Sequence, residues 1–432
     1  MHSNYRPSLA QESIRIAYSL LIVLFLPITF VHFLFQALRR KVGYTRKRLS
    51  RYAAIAKPAR VGGILLHCAS VGEVVAVQQL VNRILQNHPE LPITITTNTT
   101  TGAQRVAELF SDKVMHLYLP YDLGLFMGRL LVIFKPRMVL INEMELWPNL
   151  IHCCWKQAIP VYLVNARMSD KSLATYQKFP YLFAPLFAKL EAVCAQGQRD
   201  YDNYLALKIP ADKLILSNNI KFDMHIDQSE WQTANQLSDN FALSTRQLLV
   251  AGSTHEPEEQ VLIEAYKQLV DDHPDLLLVI VPRHPQRFDK AFNICQKSGL
   301  NTARASDKHK CLPTTQILLL DQMGMLRATF ALAKIAFVGG SIADRGGHNA
   351  LEPAAFGVPS MMGPYTYNNP AICKALRDAG ALYDVSDAQD IARQCRLWLE
   401  NEELRTAAGQ AGKTVLAANG GAIDATLKVL DL

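Results

Sequence analysis

One stretch decides the fold of this chain: Phe337-Val-Gly-Gly-Ser-Ile-Ala-Asp-Arg-Gly-Gly-His-Asn-Ala-Leu-Glu-Pro-Ala-Ala-Phe-Gly-Val-Pro359. The apolar run 335–338 predicts a buried strand that enters a glycine-rich loop and then a helix. Glycines let backbone N–H groups approach a ligand closely, and a helix start favours an anion. Asn349 and Glu352 are three residues apart and share one face of the first turn. The pattern predicts a phosphate and sugar site, with a tightly packed strand-to-helix turn as the alternative.

Short apolar runs alternate with helix-length segments through most of the chain, which predicts parallel sheets covered on both faces. A polar stretch at 227–244 interrupts this alternation, so we interpret it as a linker. The predicted fold class is α/β, with two Rossmann-like domains facing each other across a cleft and an N-terminal anchor helix. The predicted domains are 1–48, 49–228 and 245–432. The predicted strands are 64–67, 93–97, 116–119, 138–141, 161–165, 192–195, 248–251, 276–281, 317–320, 335–338 and 360–362.

The N-terminal region contains an apolar run at 16–38 without Asp, Glu, Lys or Arg, long enough to cross a bilayer. It is too long for a signal-peptide core, and no small-residue cleavage site follows it. Two basic clusters come next, Arg39-Arg40-Lys41 and Arg46-Lys47-Arg48, so the positive-inside rule places the rest of the chain in the cytoplasm. A helix lying in the membrane interface is the alternative, because Pro27 and His32 weaken the span.

Basic charge is concentrated beside this helix. The chain has a net charge of +7, yet residues after 60 contain more acidic than basic side chains. The basic collar therefore suits anionic lipid, whereas nucleic acid would call for basic residues spread over a folded face. The eight cysteines are scattered and the histidines are spread singly, which predicts reduced thiols and no metal site. No cofactor is expected.

Carboxylates follow two strands of the first predicted domain. Ser70 and Glu73 have the spacing of a capping box, and the alternative is that Glu73 takes a proton from an acceptor hydroxyl. Glu143 and Glu145 stand beside Trp147 directly after the strand 138–141. Burying a carboxylate beside an aromatic ring perturbs its pKa in a way that suits catalysis, whereas surface acids of a turn are the alternative.

Cationic and glycine-containing motifs end other strands. Lys221 precedes the polar stretch, where it is either solvated or placed against a phosphate or carboxylate. Arg283 and His284 stand between two prolines on a stiff loop, and arginine forks around phosphate oxygens. Met323 and Gly324 provide a small residue where a base or ribose could lie close. These motifs predict that the second domain binds the nucleotide.

Four strings occur together and in order: Ser70-Val-Gly-Glu73, Glu143-Met-Glu-Leu-Trp-Pro-Asn149, Pro282-Arg-His-Pro285 and Gly346-Gly-His-Asn-Ala-Leu-Glu-Pro353. In this combination the chain resembles, over nearly its whole length, the membrane-associated 3-deoxy-D-manno-octulosonic acid (Kdo) transferases of lipid A assembly. The resemblance implies a GT-B fold. It also implies transfer of Kdo from CMP-Kdo to the lipid A precursor lipid IVA, with inversion, at the cytoplasmic face of the inner membrane.

The resemblance also implies roles for particular residues. Glu73 matches the general base, and Glu143 and Lys221 match residues that stabilise the transition state. The residues that match the CMP contacts are Pro282, Arg283, Met323, Gly324, Met325, Asn349, Ala350, Leu351 and Glu352. The chain departs from the pattern in two places: Met325 stands where an acidic residue is usual, and the string before Lys221 is Ser217-Asn-Asn-Ile220, where a Gly-Asn pair is commoner.

Two other functions remain as alternatives. One is a GT-B transferase that uses a UDP-sugar and another lipid acceptor. The other is an inactive membrane scaffold that keeps the fold and binds nucleotide, although the intact Glu73, Glu143, Arg283 and Glu352 argue against it.

Overall fold

A computed structural model of the chain describes residues 5–39, 45–307 and 311–432. The chain forms two compact units, one of residues 1–223 with 420–432 and one of residues 224–419. Each unit is built around its own seven-stranded parallel sheet. Arg40 and Lys41 of the predicted basic collar lie outside the described residues.

The first unit begins with a long helix and then alternates strands with helices. Its helices are α1 (Leu9–Leu38), α2 (Val71–Ala76), α3 (Gln78–Asn87), α4 (Thr100–Phe110), α5 (Gly124–Phe134), α6 (Pro148–Lys156), α7 (Asp170–Lys178), α8 (Pro180–Ala188) and α9 (Gln198–Ala206). Its strands are β1 (Ile64–His67), β2 (Ile93–Thr97), β3 (Met115–Tyr118), β4 (Met138–Asn142), β5 (Val161–Ala166), β6 (Ala192–Ala195) and β7 (Leu214–Leu216). Short 3₁₀ helices occupy Arg46–Tyr52, Ala211–Lys213 and Ile220–Phe222.

The first sheet has the strand order β3-β2-β1-β4-β5-β6-β7. Successive side chains of a strand point to opposite faces, and both faces are apolar here. Leu65 and Val139 belong to the core on one face, whereas Leu66 and Leu140 belong to the core on the other. This double burial explains why the strands read as continuous apolar runs in the sequence.

Helix α1 confirms the predicted N-terminal apolar helix. Ser8 caps it, since its side chain accepts a hydrogen bond from the N–H of Gln11. Within the described residues, α1 is the helix that is long and apolar enough to cross a membrane by length and composition.

The second unit repeats the alternation of strands and helices. Its helices are α10 (Gln228–Phe241), α11 (Glu258–Lys267), α12 (Phe288–Lys297), α13 (Leu326–Phe330), α14 (Leu351–Ala355), α15 (Pro370–Asp378), α16 (Ala388–Glu400) and α17 (Glu402–Asn419), with a 3₁₀ helix at Pro285–Arg287. Its strands are β8 (Gln247–Thr254), β9 (Leu276–Pro282), β10 (Thr302–Arg304), β11 (Ile317–Leu319), β12 (Ile335–Val338), β13 (Ser360–Met362) and β14 (Leu382–Asp384). Their order is β10-β11-β9-β8-β12-β13-β14.

The predicted linker at 227–244 is wrong, because most of it forms helix α10. Ala234, Leu237 and Phe241 are buried in the core of the second unit. Their spacing of three and four residues gives the helix an apolar stripe, although the rest of the segment is polar. The segment therefore belongs to the second unit.

The end of the chain corrects the predicted boundary at 432. Helix α18 (Ala422–Leu430) packs into the core of the first unit through Ile423, Leu427 and Leu430. Both carboxylate oxygens of Asp223 accept hydrogen bonds from its first turn, from the N–H of Gly421 at 2.6 Å and that of Ile423 at 2.5 Å. A helix that returns to an earlier domain carries no distinctive sequence pattern.

The predicted strands are all present, with ends that differ by a few residues at most. Strands β7, β10 and β14, of three residues each, were not predicted; β10 and β14 contain a charged residue each, and β7 is a short apolar run that was overlooked. The eight cysteines are free, and all but Cys153 are buried, as expected for reduced thiols.

Candidate active site

The candidate catalytic residues of the first unit follow the two central strands of its sheet. Strand order reverses between β1 and β4, and ligands of such sheets bind outside the carboxyl ends of the strands at this switch point. β1 ends at His67 and leads to Glu73, whereas β4 ends at Asn142 and leads directly to Glu143. The topology thus brings both glutamates to the edge where a ligand is expected.

Glu73 lies in the first turn of α2 and is 8% exposed. Its carboxylate accepts hydrogen bonds from the N–H of Ala69 at 3.0 Å and from the hydroxyl of Ser70 at 3.1 Å. Ser70 caps α2 as predicted, since its side chain accepts from the N–H of Glu73. The other half of the predicted capping box is corrected, because the glutamate reaches one residue further back, to Ala69.

Burial raises the pKa of Glu73 to about 7. The hydrogen bonds from Ala69 and Ser70 lower the pKa, while the nearby charges of Glu143 and Glu145 raise it. A carboxyl group with this pKa is about half ionised at neutral pH, so it can accept a proton and later release it. This pKa is compatible with the predicted role of Glu73 as a general base.

Two backbone positions beside Glu73 have left-handed conformations that are rare for residues other than glycine. Glu143 has φ 56°, and Asn165 near the end of the adjacent strand β5 has φ 51°. Such residues concentrate where function requires a particular geometry. Asn142 is buried, and neither its side-chain oxygen nor its nitrogen has a hydrogen-bond partner within the described residues. A polar ligand would satisfy that amide.

Lys221 lies in a 3₁₀ turn that is held against β5. The side-chain oxygen of Asn165 accepts from the N–H of Ile220 at 3.2 Å. Burial lowers the pKa of Lys221, while attraction to Glu143 raises it and the charge of Arg167 lowers it. Glu143 thus interacts electrostatically with both Glu73 and Lys221, and the structure gathers the three predicted catalytic side chains at one edge of the sheet.

The buried His67 holds the side chain of Trp147 in place beside this site. The sequence analysis did not predict a role for His67. Trp147 Nε1 donates to His67 Nε2 at 3.2 Å, and His67 Nδ1 lies 2.8 Å from Thr96 Oγ1. Because indole N–H can only donate, His67 Nε2 accepts and Nδ1 carries the proton. Burial lowers the pKa of His67, so the ring is neutral and positions Trp147.

The candidate nucleotide residues of the second unit also gather around a switch point, between β8 and β12. Arg283 follows β9, and Glu352 lies in the first turn of α14 after β12. Burial raises the pKa of Glu352 to about 7, and the charges of Arg327 and Arg283 lower it. Arg283 and Glu352, distant in sequence, are therefore close enough in space to interact.

The other predicted CMP contacts differ in what they can offer a ligand. Pro282, Ala350 and Leu351 have buried side chains, so only their backbone groups are available. Asn349 precedes α14, and its side-chain oxygen accepts from the N–H of Leu351, the first residue of that helix, at 3.2 Å. Gly324 has φ 85° and open space where a side chain would stand. Met323 is 57% exposed and Met325 is half-buried.

Glu258 holds the glycine-rich loop and was not predicted. Its fully buried carboxylate accepts hydrogen bonds from the N–H groups of Gly340, Ser341 and Ile342, each at 2.9 Å. It also accepts from Ala343 at 3.3 Å and from His255 at 2.9 Å. This corrects the expectation for the loop: these amides bind a carboxylate of the protein itself and are not open to a phosphate.

Three histidines that are single in the sequence meet beside this loop. The Nε2 atoms of His255 and His348 are 3.0 Å apart, and the ring of His284 lies edge-on to that of His255 at 5.4 Å. Burial lowers the pKa of His255 and of His348 to about 4, so both rings are neutral at pH 7. Across the described residues, no group of three or more His, Cys, Asp or Glu has an arrangement that could hold a metal ion.

Models of two glycosyltransferase families match the chain. The model described as "3-Deoxy-D-manno-octulosonic-acid transferase (kdotransferase)" matches residues 38–224, and that of "Glycosyl transferases group 1" matches residues 245–415. A UDP-GlcNAc 2-epimerase from Neisseria meningitidis shares the fold, with a TM-score of 0.59 at 15% identity over 85% of this chain and 99% of its own. The class of protein is therefore a two-domain α/β glycosyltransferase of the GT-B type.

Relatives with higher sequence identity identify the family to which the chain belongs within this class. A 3-deoxy-D-manno-octulosonic acid transferase of Haemophilus influenzae is 36% identical over 85% of this chain and 86% of the relative. One of Bordetella pertussis is 31% identical over 89% of this chain and 90% of the relative. The chain belongs to the 3-deoxy-D-manno-octulosonic acid (Kdo) transferase family, which confirms the resemblance seen in its motifs. The individual roles of the site residues stay predictions.

Proposed function

We propose that the protein transfers Kdo from CMP-Kdo to the lipid A precursor lipid IVA, with inversion at the anomeric carbon. The reaction takes place at the cytoplasmic face of the inner membrane. Family membership supports Kdo as the transferred sugar. The observation that carries the catalytic part is the buried Glu73, whose pKa of about 7 suits a general base.

Glu73 accepts the proton of the acceptor hydroxyl as that oxygen attacks the anomeric carbon. The new carbon–oxygen bond forms while the bond to the cytidylate phosphate breaks, and CMP leaves with the electron pair. A single displacement of this kind gives inversion. Glu143, which interacts with Glu73, and Lys221, which interacts with Glu143, supply charges of opposite sign, and preorganised charge is usually the largest catalytic contribution.

The second unit is proposed to hold the CMP moiety. Arg283 forks around phosphate oxygens, the helix start near Asn349 also stabilises the leaving phosphate, and Glu352 binds ribose hydroxyls. Ala350 and Leu351 contribute only their backbone N–H and C=O groups, because their side chains are buried. Met323, Gly324 and Met325 border the base, and Pro282 fixes the strand end that carries Arg283.

The anchor and basic collar would hold the enzyme at the membrane that contains its acceptor. The acceptor is proposed to be anionic and acylated, so a basic surface beside an apolar helix attracts it. Kdo transfer needs no cofactor in this scheme.

The experiment is to incubate detergent-solubilised protein with CMP-Kdo and lipid IVA and to weigh the products. The expected result is lipid IVA heavier by one or more Kdo residues, with one CMP released for each Kdo transferred. NMR should show the anomeric configuration of the product opposite to that of the donor. Calorimetry with CMP and UDP separates the alternatives, because preference for UDP and transfer from a UDP-sugar would contradict the proposal. CMP binding without any transfer would favour an inactive scaffold.

A further inference from the structure

Helix α1 lies against the first unit along almost its whole length. The residues on its covered face recur at helical spacing and include Gln11, Arg15, Ile22, Thr29, Phe33 and Gln36. From the first to the last of these the helix extends about 38 Å at 1.5 Å per residue. The hydrocarbon core of a bilayer is roughly 30 Å thick. The covered face is therefore longer than a membrane crossing.

Polar contacts fasten the first half of α1 to the domain. Arg15 Nη1 donates to the side-chain oxygen of Asn149 at 2.6 Å, and the amide nitrogen of Asn149 donates to Ser19 Oγ at 3.0 Å. Glu12 Oε1 lies 3.4 Å from His152 Nδ1. Asn149 is fully buried and donates two further hydrogen bonds to Asp122, so the contact between α1 and the rest of the first unit is a specific one.

Aromatic and cationic side chains meet the second half of α1. The hydroxyl of Tyr52 donates to Thr29 Oγ1 at 3.3 Å, and the rings of Phe33 and Tyr52 are 6.2 Å apart. A cavity of about 260 Å³ lies here, between the apolar wall of Ile28 and Phe33 and the cationic side of Arg48 and Arg51. Positive charge thus borders the helix at the domain side.

The opposite face of α1 is apolar and exposed. We call this the outer face; it includes Leu20, Leu24 and Val31, which are 60%, 70% and 65% exposed. Helix α8, which packs against α1, adds Tyr181 at 57% exposure. Continuous apolar surface of this extent is rare on proteins that contact only water.

We propose that α1 lies in the plane of the membrane surface, with its outer face in lipid and both of its ends on the same side of the bilayer. If α1 crossed the membrane while packed on the domain, it would carry His152, Asn149 and Arg48 to the depth of the hydrocarbon, where charged and polar groups are expensive. In the plane, the outer face is buried among acyl chains while the cationic border meets anionic headgroups. This inference concerns membrane attachment and does not depend on which sugar is transferred.

The test uses a double cysteine variant, Arg6→Cys with Asp212→Cys, reconstituted into sealed anionic vesicles of phosphatidylglycerol and phosphatidylcholine. Both residues are exposed, one before α1 and one in the globular part of the first unit. A membrane-impermeant maleimide is added outside, and intact protein is weighed. If α1 lies in the plane, each molecule gains two labels or none, whichever way it is oriented. If α1 spans, each molecule gains one label, and that result would overturn the proposal.

Controls remove the remaining ambiguities. Wild-type protein sets the background from its native cysteines, of which Cys153 is only partly buried. Detergent lysis must bring every molecule to two labels, which shows that both introduced thiols are reactive. A second pair, Leu9→Cys with Asp212→Cys, repeats the test from a residue that is 90% exposed at the start of α1. Two labels or none in both pairs supports the in-plane helix, and single labelling in either pair contradicts it.

Discussion

Glu73 and Glu258 occupy comparable places in the two units, yet their surroundings differ. Each lies in the first turn of the helix that follows the first strand of its sheet, at the topological switch point. Glu73 accepts one backbone N–H and one hydroxyl. Glu258 accepts backbone N–H groups from His255 and from four successive residues of the loop after β12.

The number of hydrogen-bond donors decides what each carboxylate can do. A buried carboxylate whose oxygens are occupied by many donors is held in place by them, whereas Glu73 has few donors to offset the effect of burial, which raises its pKa. Glu258 therefore organises the loop that presents the candidate nucleotide residues. Glu73, with its pKa of about 7, is left able to exchange a proton. One residue type at comparable places in the two units is thus structural in one and is predicted to be reactive in the other.

The largest effect is expected for Glu73→Gln. Removing a general base typically lowers turnover by about 10²–10⁴-fold. The variant should fold and bind CMP normally, because the amide oxygen can accept from the N–H of Ala69 while the hydroxyl of Ser70 rotates to accept from the amide NH2. Transfer from CMP-Kdo measured by mass spectrometry, with CMP affinity by calorimetry, checks this. Glu145→Gln, at a half-exposed carboxylate of the neighbouring loop, is the control and should stay within about tenfold of wild type.

Glu258→Gln is expected to act on stability. The neutral amide offers one acceptor oxygen to a set of buried N–H groups, so several donors lose their partner, at a combined cost of about 2–4 kcal/mol. Urea unfolding should show this loss, and CMP affinity should fall as the loop loosens. If Glu258→Gln unfolds like wild type while Glu73→Gln is strongly destabilised, the comparison between the two carboxylates is reversed.

The pH dependence of the free energy of unfolding tests the raised pKa of Glu73. The pKa of Glu73 is about 7 in the folded protein and near the ordinary 4.5 when unfolded, so the folded state favours the protonated form. Its contribution to stability is present below pH 4.5 and is lost as pH rises through 7, by at most about 3 kcal/mol. Glu73→Gln should therefore gain stability over wild type at pH 8 and not at pH 4.5. Chemical unfolding at both pH values measures the difference, and a variant that loses stability at pH 8 would contradict the assigned burial.

Asp223→Ala should have a smaller effect. It removes the acceptors for Gly421 and Ile423 at the start of α18, and loss of such a cap costs about 1–2 kcal/mol. Urea unfolding should show this loss in the first unit, although residue 421 lies beyond the second unit in sequence. The matched control is Asp424→Ala in the first turn of α18. Because the carboxylate of Asp424 is exposed, this substitution should change the free energy of unfolding by less than about 0.5 kcal/mol. Equal effects would mean that Asp223 is not the cap.

The sheets and the places of the candidate residues were predictable from sequence. Strands buried on both faces read as apolar runs, and parallel topology brings their carboxyl ends to one edge, so Glu73, Glu143 and Arg283 could be identified. Helix α10 could also have been predicted, because Ala234 and Leu237 have the spacing of a helix face that packs into a core. The polar composition of the segment favoured the wrong interpretation as a linker.

Other features of the structure depend on contacts between residues that are far apart in sequence, and no local sequence pattern predicts such contacts. Glu258 follows His255 by three residues in an ordinary acidic helix start, and nothing in that stretch indicates its partners some eighty residues later. His348 meets His255 across 93 positions of sequence. Helix α18 resembles any amphipathic helix, so its return to the first unit could not be predicted from its residues alone.

The most direct test of the central claim is the pH profile of kcat/KM for Kdo transfer. With Glu73 as the base, kcat/KM should rise about tenfold per pH unit at acid pH and level off above a midpoint near 7. Glu143→Gln removes a like charge that raises the pKa of Glu73, so the midpoint should move to lower pH, and Glu145→Gln should move it less in the same direction. A midpoint that is far from 7 in wild type, or that neither substitution moves, would contradict the assignment of Glu73.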